Sequence, residues 1–308
     1  MASSAPIGAF DSGMGGLTVV KELMQQLPNE QIIYYGDTAR VPYGDKSKET
    51  ILTYARQIMN FLVDQGVKAI IVACNTVSAV ALEDLKNEFD IPVIGVVKPG
   101  AKAAAETTRN NRIGVIATRA TINSGIYKEF LCRTDPNISV FQKACPLFVP
   151  LVEEGWVNDE ITDLIIHRYL DDMLKNDIDS LVLGCTHYPL LRDRIQMAVG
   201  DGINLVNPAF ESSREFKYVL EENGLLNEPA ITSHNAESGN PASCSNSTET
   251  CNSSKTDAAD KKEASGFLQS HPHKFYVSDG AARFAEFAGR ILDKYTVSPD
   301  MVTVHTFD

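Results

Sequence analysis

The sequence predicts an α/β fold with a mainly parallel, doubly wound sheet. Short apolar runs of strand length alternate along the chain with amphipathic helical stretches. The chain has 308 residues, which suits one large or two medium domains, and 44% of them are hydrophobic, which suffices for a full core. Alternating strands and helices favour parallel strands with helices on both faces of the sheet.

The individual elements follow from the spacing of apolar residues. The predicted strands share a continuous apolar run, and they are Ile7–Phe10, Gln31–Gly36, Ala69–Ala73, Val93–Val97, Ile113–Ala117, Ile138–Lys143 and Ser180–Gly184. The predicted helices share a period of about 3.6 residues, and they are Leu17–Gln26, Lys48–Gln65, Val77–Phe89, Pro99–Thr107, Ser124–Leu131, Asp159–Lys175 and Leu190–Val199. A last strand, Lys274–Val277, precedes a helix that runs from Ala281 to Tyr295.

A faint internal repeat relates the two halves of the chain. Ile7–Ser12 aligns with Ile113–Thr118, and segments around Cys74 and Cys185 lie at nearly the same separation. The repeat favours two similar lobes, although two unrelated α/β units could look equally alike.

Residues 228–273 interrupt the alternating pattern. Small and polar residues dominate from Ser233 to Ser265, and large apolar side chains are almost absent. Such a segment cannot bury enough apolar surface to offset its ordering entropy, so we expect a disordered surface insertion. We expect no function from the cysteines and histidines in or beside it, which are His234, Cys244, Cys251, His271 and His273.

Charge and leader features limit the partners and the compartment. The net charge of −12 argues against nucleic acid or an anionic membrane as a main partner, because both require basic surface. The N-terminus lacks the basic start and apolar core of a signal peptide, and no run of about 18 apolar residues occurs. We therefore expect a cytoplasmic protein whose six cysteines are free thiols.

Two cysteines, Cys74 and Cys185, follow apolar strands in similar polar contexts. The carboxyl ends of strands are where α/β sheets usually carry their chemistry. Helix N-termini and nearby hydrogen-bond donors lower the pKa of a thiol, so both cysteines are expected to be activated. Two like groups suit a reaction that removes a proton from one face of a carbon and returns it to the other. Buried structural cysteines are the alternative.

Each cysteine has a candidate proton-handling partner. Asp11, at the end of the first strand, could serve Cys74, and His187 could serve Cys185. A zinc site on both cysteines and His187 is a competing interpretation. The spacings Cys-x-x-Cys and His-x-x-x-His are absent around these residues, so we expect no metal.

Three further segments could face a ligand. The segment Asp11-Ser12-Gly13-Met14-Gly15-Gly16 lacks the third glycine of a dinucleotide-binding fingerprint. We therefore expect a tight turn that faces a ligand. A plain helix cap is the alternative. Tyr43-Gly44 could offer a backbone N–H and a phenol edge. The run Pro146–Gly155 contains two acids near its end, Glu153 and Glu154. They either take part in function or form the solvated start of a helix.

Together these motifs resemble the glutamate racemases of the cofactor-independent aspartate/glutamate racemase superfamily. The order and spacing of the motifs carry the resemblance, which spans residues 7 to about 210. The matching segments are Asp11-Ser12-Gly13-Met14-Gly15-Gly16, Pro42-Tyr43-Gly44, Ala73-Cys74-Asn75-Thr76, Pro146–Gly155 and Gly184-Cys185-Thr186-His187-Tyr188-Pro189.

The resemblance implies two α/β lobes that face each other, with the active site in the cleft between them. The second lobe would comprise residues 99–207, and residues 1–98 and 208–308 would form the first. The implied activity interconverts L-glutamate and D-glutamate for peptidoglycan synthesis, without pyridoxal phosphate or another cofactor, in a homodimer. The insertion at 228–273 departs from the usual family length and leaves the C-terminal geometry open.

The resemblance also implies roles for individual residues. Cys74 and Cys185 would be the two acid/base residues, with Asp11 and His187 as their auxiliaries. Glu153 is preferred over Glu154 as a further assisting acid, and Asp37 matches a family acid of lesser role. The substrate-lining residues would be Asp11, Ser12, Tyr43, Gly44, Asn75, Thr76, Thr118, Thr186 and His187.

Three other functions stay open at this stage. A relative in the same superfamily could act on aspartate, a hydantoin or a malonate. A pyridoxal enzyme could use a lysine such as Lys98. A non-catalytic two-lobed ligand- or metal-binding protein is the alternative from a different class.

Overall fold

Two parallel sheets organise the chain in the computed structural model, which describes residues 4–227, 272–293 and 295–307. The strands are β1 (Ile7–Asp11), β2 (Ile32–Gly36), β3 (Ile70–Val72), β4 (Val93–Gly95), β5 (Arg112–Ala117), β6 (Ser139–Ala144), β7 (Ser180–Gly184), β8 (Asn204–Val206), β9 (Lys274–Val277) and β10 (Val302–Val304). Among the described residues, a six-stranded sheet has the order β10-β9-β2-β1-β3-β4, and a four-stranded sheet has the order β6-β5-β7-β8. Their pairings are parallel, which confirms the predicted α/β fold.

Helices cover both sheets. They are α1 (Leu17–Gln26), α2 (Lys48–Asp64), α3 (Asn75–Val80), α4 (Leu82–Glu88), α5 (Val97–Thr107), α6 (Arg119–Ser124), α7 (Ile126–Thr134), α8 (Phe148–Glu153), α9 (Glu160–Leu174), α10 (Arg192–Val199), α11 (Pro208–Glu222) and α12 (Ala281–Ile291). Short 3₁₀ turns lie at Tyr188–Leu191 and Pro299–Met301. Within the described ranges, no helix is long and apolar enough to cross a membrane.

The central strands are buried on both faces, which explains why they read as continuous apolar runs. Every residue of β1, β2 and β7 is buried. One apolar cluster contains side chains from both sheets, including Ile71 and Leu183, and therefore joins the two halves. Helix α11 packs on α1 and on α5. A Cβ on Gly100 of α5 would lie 2.8 Å from Pro208 Cβ, so this junction depends on a glycine.

Several predicted elements differ in their bounds. The predicted helix Val77–Phe89 is two helices, because the backbone leaves helical geometry at Ala81 (φ −130°). The predicted strand Val93–Val97 ends at Gly95, since α5 already begins at Val97. A left-handed Gly125 (φ 71°) separates α6 from α7. Elements that sequence reasoning missed are β8, β10, α6, α8 and α11. Asn207 and Pro208 are the cap and first-turn signals that predict the start of α11.

The predicted insertion lies almost entirely outside the residues that the structure describes. Residues 228–271 lie outside the described part of the chain, and with them His234, Cys244, Cys251 and His271. His273, in contrast, is buried, and its Nδ1 accepts a hydrogen bond of 3.1 Å from the Ile32 backbone N–H. The predicted boundary of the insertion is therefore wrong at His273, whose imidazole satisfies the first N–H of β2. The proposed limits of the two lobes stay a prediction.

Candidate active site

The carboxyl edges of the two sheets meet and carry most of the predicted site. Asp11 ends β1, Cys74 follows β3 and Cys185 follows β7, so all three lie at carboxyl ends of parallel strands. Side chains cross between the two edges. Thr186 Oγ1 donates to Asp11 Oδ2 at 3.5 Å, and Tyr127 OH donates to Asn75 Oδ1 at 2.7 Å. The fold thus assembles residues that lie 52 and 175 positions apart in the sequence.

Cys74 lies in a buried acidic setting at the start of α3. Its thiol donates to Ser12 Oγ at 3.4 Å, and the Asp11 carboxylate lies beside it. Asp11 is fully buried, and its Oδ2 accepts the Gly16 backbone N–H at 2.9 Å. Burial raises the pKa of the Asp11 carboxyl above its ordinary value, although the nearby charge of His187 opposes the rise.

The Cys74 thiol is protonated in this state. Burial, followed by the negative charge of Asp11, raises the pKa of Cys74 from 9.0 to about 12, although hydrogen bonds from Ser12 and Val77 oppose the rise. The prediction that a helix N-terminus would lower this pKa is therefore wrong for Cys74, because the lost solvation of the thiolate outweighs the local donors. Cys74 is poised to give a proton.

Cys185 has a different, cationic partner. Its sulfur lies 3.8 Å from His187 Nδ1, and His187 Nε2 lies 3.1 Å from Glu153 Oε1. Burial disfavours charge on this imidazole, but hydrogen bonds to Cys185 and Glu153 and their negative charges raise the pKa of His187 from 6.5 to about 10. His187 is therefore charged near neutrality, and this cation lies beside the sulfur of Cys185.

Glu153, rather than Glu154, contacts His187. Burial alone would raise the pKa of Glu153, but the hydrogen bond and charge of His187, with Arg283, hold it below its ordinary value. The Glu154 side chain is exposed and pairs with Arg283 at 3.3 Å. The second acid of the pair thus lies outside the site.

Glycines in the turn after β1 allow functional groups to approach closely. A Cβ on Gly15 would lie 2.5 Å from both His187 Nδ1 and Thr186 Oγ1. A Cβ on Gly16 would lie 2.5 Å from Asp11 Cβ. The N-cap of α1 is Gly16, and no side chain caps it, so Ser12 is not the cap of this helix. The turn therefore brings Asp11 and His187 together.

Three threonine hydroxyls form a triangle across the two lobes. Thr76 Oγ1 and Thr118 Oγ1 are 3.0 Å apart, and Thr118 Oγ1 and Thr121 Oγ1 are also 3.0 Å apart. Thr121 Oγ1 lies 3.4 Å from Thr76 Oγ1 and closes the triangle. Thr121 was missed in the sequence, although its place three residues after a predicted contact, on the helix that Thr118 caps, is a signal. Such hydroxyls can donate to a carboxylate.

A cavity of about 440 Å³ opens beside these groups. Gly44, Thr118 and Glu153 line it, whereas the buried Cys74 and Cys185 do not. The other lining residues are Val41, Pro42, Asp45, Arg119, Pro146, Leu147, Val149, Pro150 and Tyr169. This volume lies in the range of small-molecule sites.

Tyr43 turns its phenol away from this cavity. The ring is buried, and its hydroxyl donates to Asp37. The contact between Tyr43 and the substrate stays a prediction. Only the backbone of Tyr43 or the edge of its ring could make this contact. Among the described residues, no group of three His, Cys, Asp or Glu side chains could hold a metal ion.

Comparison with known proteins adds independent findings. A family model described as Asp/Glu/Hydantoin racemase matches residues 14–209. A glutamate racemase from Geobacter metallireducens is 50% identical over 220 residues, which are 71% of this chain and 82% of the relative.

Solved structures agree with the sequence comparison. A crystal structure of a glutamate racemase isoform from Bacillus anthracis superposes with a TM-score of 0.79 at 33% identity, and the match covers 99% of this chain and 98% of that one. A glutamate racemase from Francisella tularensis, solved in complex with D-glutamate, superposes with a TM-score of 0.75 at 38% identity, covering 97% and 99%.

Proposed function

Because the chain belongs to the Asp/Glu/hydantoin racemase family and is an amino-acid racemase, we propose that it interconverts L-glutamate and D-glutamate with two cysteines and no cofactor. The observation that carries the proposal is the pair of buried cysteines on facing sheet edges, each beside its own proton-handling partner. Asp11 lies beside Cys74, and His187 lies 3.8 Å from the sulfur of Cys185.

The two cysteines are prepared for opposite roles. The Cys185 thiolate, held beside charged His187, removes the α-proton, so that a C–H bond breaks and an S–H bond forms. The Cys74 thiol, whose pKa is about 12, gives its proton to the opposite face of the same carbon. The thiolate left on Cys74 is the base for the opposite enantiomer, and the Cys185 thiol is then the acid.

The α-proton of an amino acid is very weakly acidic, so its removal has a high barrier, and burial of the site lowers part of that barrier. Both cysteines are buried, and in a water-poor site charges interact more strongly and reacting atoms are held in place. Local donors solve the problem of binding an anion to a protein of net charge −12. The side chains that can donate to the substrate carboxylates are Ser12, Asn75, Thr76, Thr118, Thr121 and Thr186.

The proposal also includes the role of the protein in the cell. D-glutamate would be supplied for peptidoglycan synthesis by a cytoplasmic homodimer. The supporting observation is the similarity to proteins named glutamate racemase. Restored growth of a D-glutamate auxotroph that carries this chain, and a dimer mass in solution, are the expected results; failure of either removes that part of the proposal.

The decisive test is incubation of the purified protein with L-glutamate in deuterated water without added cofactor. We expect the α-proton to exchange and the circular dichroism of the solution to decay to zero. Aspartate, under the same conditions, should react much more slowly. Absence of exchange with glutamate, or faster exchange with aspartate, would contradict the proposed activity.

A further inference from the structure

Arg40 lies at the centre of a packed cluster in the loop between β2 and α2. Its Nε donates to Asp37 Oδ2 at 2.7 Å, and its Nη1 donates to Gln57 Oε1 at 2.6 Å. The guanidinium carbon lies 4.0 Å from the centre of the Tyr54 ring and 5.1 Å from that of Phe307. The planar guanidinium of Arg40 thus donates hydrogen bonds from its edge to two acceptors, and its faces lie near two aromatic rings.

Asp37 connects this cluster to the catalytic strand. It is fully buried, and the oxygen that accepts from Arg40 also accepts from the Tyr43 hydroxyl. Its backbone N–H donates to the carbonyl of Asp11 at 3.1 Å. A buried carboxylate without its cation is costly, so Arg40 stabilises Asp37 where both the loop and the end of β1 are attached.

The other end of the loop forms the wall of the cavity. Val41, Pro42 and Gly44 line it. The carbonyl of Gly44 accepts the Ala120 N–H at 2.9 Å, and a Cβ on Gly44 would lie 2.8 Å from Thr118 Cβ. The loop therefore packs closely against the start of α6. A small shift of the loop would alter its contact with Thr118.

The segment after β10 covers the cluster. Tyr35 OH donates to the carbonyl of His305 at 2.6 Å, and the Tyr35 and Phe307 rings lie 5.3 Å apart. Phe307 packs against the same apolar cluster as Tyr54. A segment far from the cysteines in sequence thus packs against the Arg40 guanidinium.

We propose that Arg40 is a positioning residue that sets the affinity for substrate. Held by Asp37, Gln57 and two rings, it fixes the Val41–Gly44 wall where that wall meets Thr118, and it does not touch the reacting atoms. The inference rests on the proposed function, because its readout is the KM for glutamate. Lysine cannot replace arginine here, since an ammonium lacks the planar fork that satisfies two acceptors and stacks on rings.

The test compares Arg40→Lys and Arg40→Gln with a matched control, Arg56→Gln. Arg56 lies on α2 and makes a two-bond pair with Glu88 (2.7 and 2.6 Å), but it is not among the residues that line the cavity. We expect both Arg40 variants to raise KM about tenfold while kcat changes by less than about threefold, because a displaced wall weakens binding before it alters the thiols. Arg56→Gln should keep the wild-type constants.

Chemical rescue separates positioning from a loss of folding. In Arg40→Gly, millimolar guanidinium chloride, well below denaturing concentrations, should restore at least half of the lost affinity, and an equal concentration of sodium chloride should not. An unchanged KM in the Arg40 variants, a fall in kcat alone, or no rescue in a folded variant would overturn the inference. If wild type and Arg56→Gln are both inactive on glutamate, the proposed function fails instead.

Discussion

Replacing Glu153 by Gln should make α-proton exchange with solvent unequal between the two enantiomers of glutamate. Glu153 Oε1 lies 3.1 Å from His187 Nε2, and His187 in turn faces Cys185. The variant keeps the size of the side chain and its ability to accept a hydrogen bond, but it removes one negative charge. His187 then has only Cys185 to favour its charged form, so the ring facing the Cys185 sulfur becomes neutral at a lower pH.

The structure gives the size of the effect. The rise in the pKa of His187 from 6.5 to about 10 corresponds to a net preference of about 5 kcal/mol for the charged ring, which remains after burial has opposed the contributions of Cys185 and Glu153. Loss of the Glu153 contribution should lower the pKa of His187 by about one to two units. His187 then loses its proton at lower pH, so the alkaline limb of the activity profile moves down by the same amount.

The assay follows α-proton exchange in deuterated water from each enantiomer across the pH range. At about pH 10 and above, exchange in the direction in which Cys185 is the base should slow about ten- to a hundredfold, because His187 of the variant is then neutral. Near neutral pH, and in the direction that starts from Cys74, the change should be much smaller. Glu154→Gln is the matched control, because Glu154 is exposed and does not contact His187. Equal slowing of both directions, an upward shift of the alkaline limb, or the same profile in the control would refute the reasoning.

Three further predictions test other parts of the molecule. Cys74→Ala and Cys185→Ala should each abolish racemisation, and near-full activity of either variant would disprove the two-base mechanism. Gly15→Ala should lower kcat about a hundredfold, because its Cβ would lie 2.5 Å from the His187 imidazole, whereas Gly289→Ala, with nothing within 4 Å, should keep it; equal activities would contradict the steric argument. Burial lowers the pKa of His273 from 6.5 to about 4, so the unfolded chain binds the proton first and stability should fall by about 3 kcal/mol as pH drops from 6.5 to 4. Urea unfolding should show this fall in wild type and a smaller one in His273→Gln; identical slopes would argue against it.

Much of the fold could be read from the sequence because its signals are local. Strands such as Ser180–Gly184 are continuous apolar runs, and α1 begins and ends as its periodicity predicts. Short elements escaped, since the three residues of β8 and of β10 carry too little pattern. They exist because neighbouring strands already offer hydrogen-bonding edges.

The features of the candidate site also divide into those that the sequence predicts and those that it does not. The positions of Cys74 and Cys185 after their strands, and of His187 two residues beyond Cys185, are properties of short segments and could be predicted. The contact between His187 and Glu153, and the inward turn of Tyr43 towards Asp37, could not, because they depend on how separate segments pack.

The tertiary structure contributed most to the protonation states of the groups in the candidate site. The sequence by itself determined that two thiols lie at strand ends, beside residues able to move protons. Only the packed structure determined that Cys74 is a protonated thiol beside a buried acid while Cys185 faces a charged imidazole. The physical reason is that the pKa of a group depends on lost solvation and on charges within a few ångströms, and here the closed fold, rather than the neighbouring residues in the chain, supplies most of both.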